Sequence, residues 1–199
     1  AYTSAAAQFA LADTIPDRAY VTLLVDKEEI GSVGATGMHS RFFENCMAEI
    51  MNLTGGYSEL KLRRCLSNSC MLSSDVSAGF DPNFPGVHEK MNAPFFGYGP
   101  VLSKFTGSRG KGGSNDAGPE FIASLRDIFE KDEVAFQMAE LGKVDQGGGG
   151  TIAYILAQYS MDVIDVGVAL HNMHAPWELA SKADIFETYR AYISFLTKM

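Results

Sequence analysis

The chain predicts an α/β protein with helices layered on a sheet, and three observations carry that prediction. Apolar, β-branched runs recur at Ala19 to Asp26, Val101 to Phe105 and Met161 to Ala169, as strands buried on both faces require. Between them lie segments whose apolar residues recur every three to four positions, the mark of amphipathic helices. The 199 residues are 46% hydrophobic and 20% charged, enough for one domain with a sizeable core. Alternation of the two patterns implies layering.

In chain order, Ala1 to Ala12 is Ala-rich and helix-compatible, and Ala19 to Asp26 reads as a strand buried on both faces. After Gly31, Gly34 and Gly37, the stretch His39 to Met51 sets Phe42, Phe43, Met47, Ile50 and Met51 at helical spacing. Cys70 to Ser74 is an apolar run entering Asp75. Phe80 to Gly99, with Pro82, Pro85 and Pro94, is a long connection of the kind that lines clefts or subunit contacts. Val101 to Phe105 is a strand. Pro119 to Glu130 repeats Phe121, Ile122, Leu125, Ile128 and Phe129 as a helix, with Asn115 or Asp116 near its cap. Phe136 to Leu141 is strand-like, Thr151 to Tyr159 helical, Met161 to Ala169 a strand, and Trp177 to Leu196 a final amphipathic helix.

Charge and cysteine content exclude several classes. Asp and Glu number 24 against 16 Lys and Arg, a formal net charge of -8, which disfavours nucleic acid because phosphate binding needs a basic face. Three cysteines, Cys46, Cys65 and Cys70, form no C-x-x-C pair, so neither a disulfide framework nor a structural zinc finger is signalled, and a reducing cytoplasm is the expectation. No window offers about 18 uninterrupted apolar residues, and Ala1 to Ala10 lacks the basic start of a secretion signal.

The acids draw attention next. Glu28 and Glu29 follow the apolar run Val21 to Val25, and adjacent side chains there point different ways, so one acid could ligate a metal while the other handles protons. A polar loop after a strand is the alternative. Asp26, Glu28, Glu29, Asp75 and His174 each fall just beyond an apolar run, where open α/β sheets build their sites. Carboxylates mixed with imidazole suit zinc or another divalent first-row metal. His39, His88 and His171 are less well placed and read as hydrogen-bonded or surface histidines. Gly147 to Thr151 lacks the Gly-Lys-Ser/Thr ending of a phosphate loop; close backbone approach, with Thr151 capping the next helix, or a flexible turn remain open. Thr106 to Asn115, with Arg109 and Lys111, is either a carboxylate-binding concavity or an exposed loop.

Four blocks in order, Asp26-Lys-Glu-Glu-Ile-Gly-Ser, Ser73-Ser-Asp75-Val-Ser-Ala-Gly-Phe-Asp-Pro-Asn83, Gly107-Ser-Arg-Gly-Lys-Gly-Gly-Ser-Asn-Asp116 and Asn172-Met-His174-Ala-Pro-Trp-Glu178, resemble the aspartyl aminopeptidase and aminopeptidase I family of dinuclear zinc exopeptidases. The resemblance implies a three-layer α/β sandwich, a mixed and mostly parallel sheet with helices on both faces. It also implies a cytoplasmic enzyme that removes amino-terminal residues, often acidic ones, from peptides, holds two zinc ions per complete subunit and assembles as a tetrahedral homo-dodecamer. By motif, Glu28 resembles the general base acting on the zinc-activated water, Glu29 the carboxylate ligand of one zinc, Asp75 a ligand of the other and His174 a histidine ligand. Lys104 matches a substrate-contacting lysine. The family's further metal-binding histidine, bridging aspartate and inserted second domain lie upstream of these blocks, so residues 1 to 199 resemble the carboxyl-terminal part of the catalytic domain. Histidines that eukaryotic members carry after the aspartate are Ala78 and Asp81 here, which leaves acidic preference open. A deacetylase-like amide hydrolase on the same scaffold, and a non-catalytic assembly subunit, are the competing readings.

Overall fold

The computed structural model describes every residue except Gly110 and Val144. The first half holds α1 (Tyr2–Ala10), a 3-10 turn at Glu28–Ile30, α2 (Phe42–Leu53), α3 (Glu59–Ser67), β1 (Cys70–Ser73) and β2 (Ser77–Ala78). Then come β3 (Val101–Ser103), β4 (Phe105–Ser108), β5 (Gly112–Asp116), α4 (Pro119–Lys131) and β6 (Gln137–Met138). The chain closes with α5 (Ala153–Ala157), β7 (Asp162–Gly167), β8 (Ala169–His171), β9 (Leu179–Ala180) and α6 (Lys182–Lys198).

Five consecutive buried residues, Val163 to Gly167, make β7 the middle of the molecule. It lies between β1, which it pairs in parallel, and β3, which it pairs antiparallel, while β6 extends the sheet alongside β3. Successive residues of a strand face opposite sides. Accordingly Ile164 and Val166 pack with Leu102, Phe121, Leu125, Phe129 and Tyr192 on the side covered by α1, α4 and α6. Val163 and Met71 face Leu62, Leu66, Leu156 and Met47 on the side covered by α2, α3 and α5. Helices therefore cover both faces of a mixed sheet, as expected.

Local chemistry sets the helix boundaries. Pro119 opens α4, where its missing N–H costs nothing; the cap is Gly118, not Asn115 or Asp116. Asn115 instead turns inward and donates its amide to the Val163 carbonyl at 2.9 Å. Ser58 and Ser181 accept the Lys61 and Asp184 N–H groups and start α3 and α6. The side chain of Asp184, 1% exposed, accepts the N–H groups of Gly97 and Gly99 at 2.8 and 2.9 Å. It fastens the long proline-rich connection to the last helix.

Several expectations need correction. The apolar run Ala19 to Asp26 is extended but belongs to no sheet; its one ladder contact among the described residues is a bridge from Asp26 to Gly37. Thr106 to Asn115 is not a plain loop but the β4–β5 hairpin. The strand expected over 161–169 divides into β7 and β8, and the final helix starts at Lys182 because Leu179–Ala180 pairs with β8. The run from Phe136 to Leu141 contributes just two ladder residues.

Candidate metal centre at the strand ends

Three loops converge at one end of the molecule, and each is rigid for a stated reason. In the first, Asp26 accepts hydrogen bonds from the Lys27 N–H and the Thr36 hydroxyl, both at 2.9 Å. Lys27 adopts φ 67° and Gly31 φ 87°. A Cβ on Gly37 would lie 2.2 Å from the Ser32 carbonyl oxygen, so only glycine lets this turn close. The turn holds out Glu28, half-buried, and Glu29, exposed.

Asp75 stands just past β1. Its Oδ1 accepts the Val76 N–H at 2.8 Å, and its carbonyl oxygen lies 1.7 Å from where a Cβ on Gly167 would be. His174 follows β8 in the third loop. Its own backbone has φ 67°, a left-handed conformation uncommon for residues other than glycine. Its N–H donates to Glu178 Oε1 at 2.7 Å. His174 Nδ1 lies 3.5 Å from Glu29 Oε2, while Glu28, Glu29 and Asp75 share the wall of a cavity of about 710 Å³.

Charge explains what such a cluster wants. Burial pushes the Glu28 carboxyl above its ordinary range, and neighbouring Asp75 and Glu29 push it further, with His174 opposing. Burial likewise raises Asp75, the Val76 N–H opposes, and Glu29 adds to the rise. Carboxylates that resist ionising beside one another are relieved by a cation. Oxygen and imidazole donors together match zinc, so the donor set fits. Among the described residues no three His, Cys, Asp or Glu side chains close on a single point; the four gather without completing a coordination shell.

Lys104 stands outside this group. Its ammonium donates to Asp116 and it offsets the burial-raised Glu140 carboxyl, so a substrate carboxylate would have to compete with Asp116. His39 bonds Tyr154 at 2.8 Å, His171 bonds the Phe80 carbonyl at 3.0 Å and His88 packs on Phe80, in keeping with their structural reading. The Thr151 hydroxyl accepts the Ala153 N–H at 3.2 Å, but the residue at the cap of α5 is Ile152, not Thr151. A Cβ on Gly148 would meet the Gly107 carbonyl at 2.2 Å, so the glycine run does permit close backbone approach, here to the hairpin. Arg109 is exposed near its tip, and Gly110 lies outside the described residues.

Sequence reasoning missed two residues behind the site. Asp165, 4% exposed, stands in register between Ser73 of β1 and Ser103 of β3. Thr106 donates to its Oδ2 at 3.0 Å, and its Oδ1 has no partner among the described residues. Burial pushes it up to about 6. Because that lies above the unfolded value, the folded state loses stability as pH rises from about 4 to about 6, by about 3 kcal/mol. Asp165→Asn, uncharged throughout, is expected to gain about that much on its parent between pH 4 and pH 7, read by urea unfolding at both. Parallel pH profiles would refute it. The signal was a lone acid inside Val163-Ile-Asp-Val-Gly167. Gly167 is the second residue, and its sequence signal was nil.

The family model described as aminopeptidase I zinc metalloprotease (M18) matches residues 1–196. The chain belongs to the M18 peptidase family. A probable M18 family aminopeptidase 1 of Clostridium acetobutylicum is 63% identical over 196 residues, covering 98% of this chain and 42% of the relative. One from Thermotoga maritima is 47% identical over 191 residues, covering 96% and 42%. A crystal structure of a T. maritima M18-family aminopeptidase superposes with TM-score 0.93 at 44% identity, over 100% of this chain and 44% of that one. The mApe1 dodecamer of S. cerevisiae superposes with TM-score 0.77 at 25% identity, over 98% and 43%. This M18 chain thus spans about two fifths of the length of the relatives it matches. No helix among its described residues is long and apolar enough to cross a membrane.

Proposed function

We propose that this chain is the carboxyl-terminal part of the catalytic domain of a zinc aminopeptidase that removes amino-terminal residues from peptides, acidic ones being the class to test first. Glu28 is the general base, and Glu29, Asp75 and His174 are zinc ligands, within a complement of two zinc ions per complete subunit. The observation that carries this reading is the meeting of three carboxylates and one imidazole from three separate loops, with two of the acids held against ionisation. Membership of a family described as zinc metalloprotease supports it.

Zinc, when bound, supplies positive charge that polarises the scissile carbonyl and acidifies water. Glu28 takes the proton of the attacking water and returns it to the leaving amine. Its half-buried, raised carboxyl is suited to holding that proton in transit. Glu178 accepts the backbone N–H of His174 and so fixes the main chain of that loop. The complete protein is read as a homo-oligomer, a dodecamer by analogy with the S. cerevisiae assembly and tetrahedral by the family resemblance, working in the cytoplasm without nucleic-acid or membrane partners.

Zinc titration of the complete subunit tests the ligand assignment. His174→Ala is expected to weaken one site by more than the roughly 10–100-fold that outer-shell partners cost, leaving the second site filled. Equal zinc uptake by variant and parent would overturn it.

A further inference from the structure

Strands β1 and β2 are one strand broken in the middle. Ser73 lies opposite Asp165 and Ser77 opposite Ala169, the same register on either side of the break, and the break holds Ser74, Asp75 and Val76. Parallel pairing is regular, so alternate N–H groups along this strand should each meet a carbonyl of β7 or β8. Beyond the break they do: the Ser77 and Gly79 N–H groups donate to the Val168 and Leu170 carbonyls at 2.9 and 2.8 Å. One step earlier the same alternation assigns the Asp75 N–H to the Val166 carbonyl. Asp75 instead turns its N–H back to the Ser73 carbonyl at 3.0 Å.

A side chain takes the place that Asp75 leaves. Tyr192 of α6, 5% exposed, donates its hydroxyl to the Val166 carbonyl at 2.6 Å. The same hydroxyl lies 2.6 Å from that of Ser74. A carbonyl can only accept, so the phenol's single proton goes to Val166 and Ser74 donates to the phenol. Ser74 in turn accepts from Ser4 of α1 at 3.3 Å. Tyr192 therefore stands in for the Asp75 N–H on β7 and also grips the residue before Asp75. Val166 is fully buried, and a buried carbonyl without a donor is costly. With the phenol in place that carbonyl is satisfied and the Asp75 peptide is released to form its loop. Without it, the Asp75 N–H is the donor whose register fits, and closing the ladder supplies it.

We propose that Tyr192 is a positioning residue for zinc: its hydroxyl holds the ladder open at Asp75, so that the loop, and not β7, sets the Asp75 carboxylate. The proposal rests on the reading of Asp75 as a zinc ligand.

The test is Tyr192→Phe in the complete subunit, read by zinc-binding isotherms and, on the metal-free protein, by amide hydrogen exchange of peptides spanning residues 74–76. One zinc site is expected to weaken by about 10–100-fold, the cost of an outer-shell partner, with the other still filled. Exchange at residues 74–76 is expected to slow by roughly 10-fold as the Asp75 N–H enters the ladder. Ser74→Ala, which leaves the phenol on Val166, should weaken the same site less and keep the ladder open; combined with Tyr192→Phe it should add nothing. A tyrosine that served packing alone would leave both readouts at the parent level, and one that merely braced the loop would give faster exchange at residues 74–76. Either result overturns the proposal, as does loss of both zinc sites together. Slower exchange with parental zinc affinity is decided by Asp75→Asn. If that variant also binds zinc like the parent, the clamp stands and Asp75 leaves the ligand set, which is a failure of the zinc reading; if it weakens zinc, the positioning role of Tyr192 falls.

Discussion

Glu28→Gln is expected to lower turnover of amino-terminal peptide substrates by about 10²–10⁴-fold in the complete subunit, the range that a positioned proton-transfer group contributes. Glutamine keeps the shape of the side chain and cannot take a proton, so the loss should fall on kcat while zinc content stays at the parent level. Because burial and two acidic neighbours hold the Glu28 carboxyl above its ordinary range, the acid limb of the parent's pH profile should also disappear from the residual activity. Elemental analysis alongside steady-state kinetics separates the roles. A variant that loses zinc with its activity would make Glu28 a ligand, and one of undiminished kcat would remove it from the mechanism.

Gly167→Ala should be the most damaging glycine-to-alanine change among the described residues. The added carbon would sit 1.7 Å from the Asp75 carbonyl oxygen, 2.6 Å from its carbonyl carbon and 3.2 Å from the Val76 nitrogen. All three are main-chain atoms, so no rotamer change can relieve the clash. Nor can β7 retreat, since Gly167 is in register with Val101 of β3. Overpacking typically costs 1–3 kcal/mol and more where nothing yields, so a loss of about 3 kcal/mol is expected from urea unfolding, with Asp75 displaced and metal binding weakened together. Parental stability in this variant would mean that the contact between β7 and the Asp75 loop is loose.

Periodicity reached the elements whose burial is one-sided and regular. Helix α4 was legible because Phe121, Leu125, Ile128 and Phe129 repeat on one face, and β7 because it is apolar nearly throughout. Helix α3 escaped notice since only Leu62 and Leu66 of its residues are buried; a serine cap was its sole marker. The run 19–25 has the composition of a buried strand, yet a strand exists only with a partner, and composition says nothing of who pairs. The three carboxylates and the imidazole that the motifs singled out, Glu28, Glu29, Asp75 and His174, lie at one end of the molecule. What motif reading could not reach is the support behind them: the buried Asp165, and a glycine whose meaning is a distance to another loop.

The left-handed backbone at His174 limits how the proposed zinc site could be retargeted to another ion. Histidine, asparagine and aspartate tolerate that conformation better than other side-chain-bearing residues, and of the last two only aspartate brings an anionic oxygen. A library randomised at this position should therefore yield His→Asp almost alone among foldable, metal-competent clones, with selectivity drifting toward manganese or magnesium and away from softer ions.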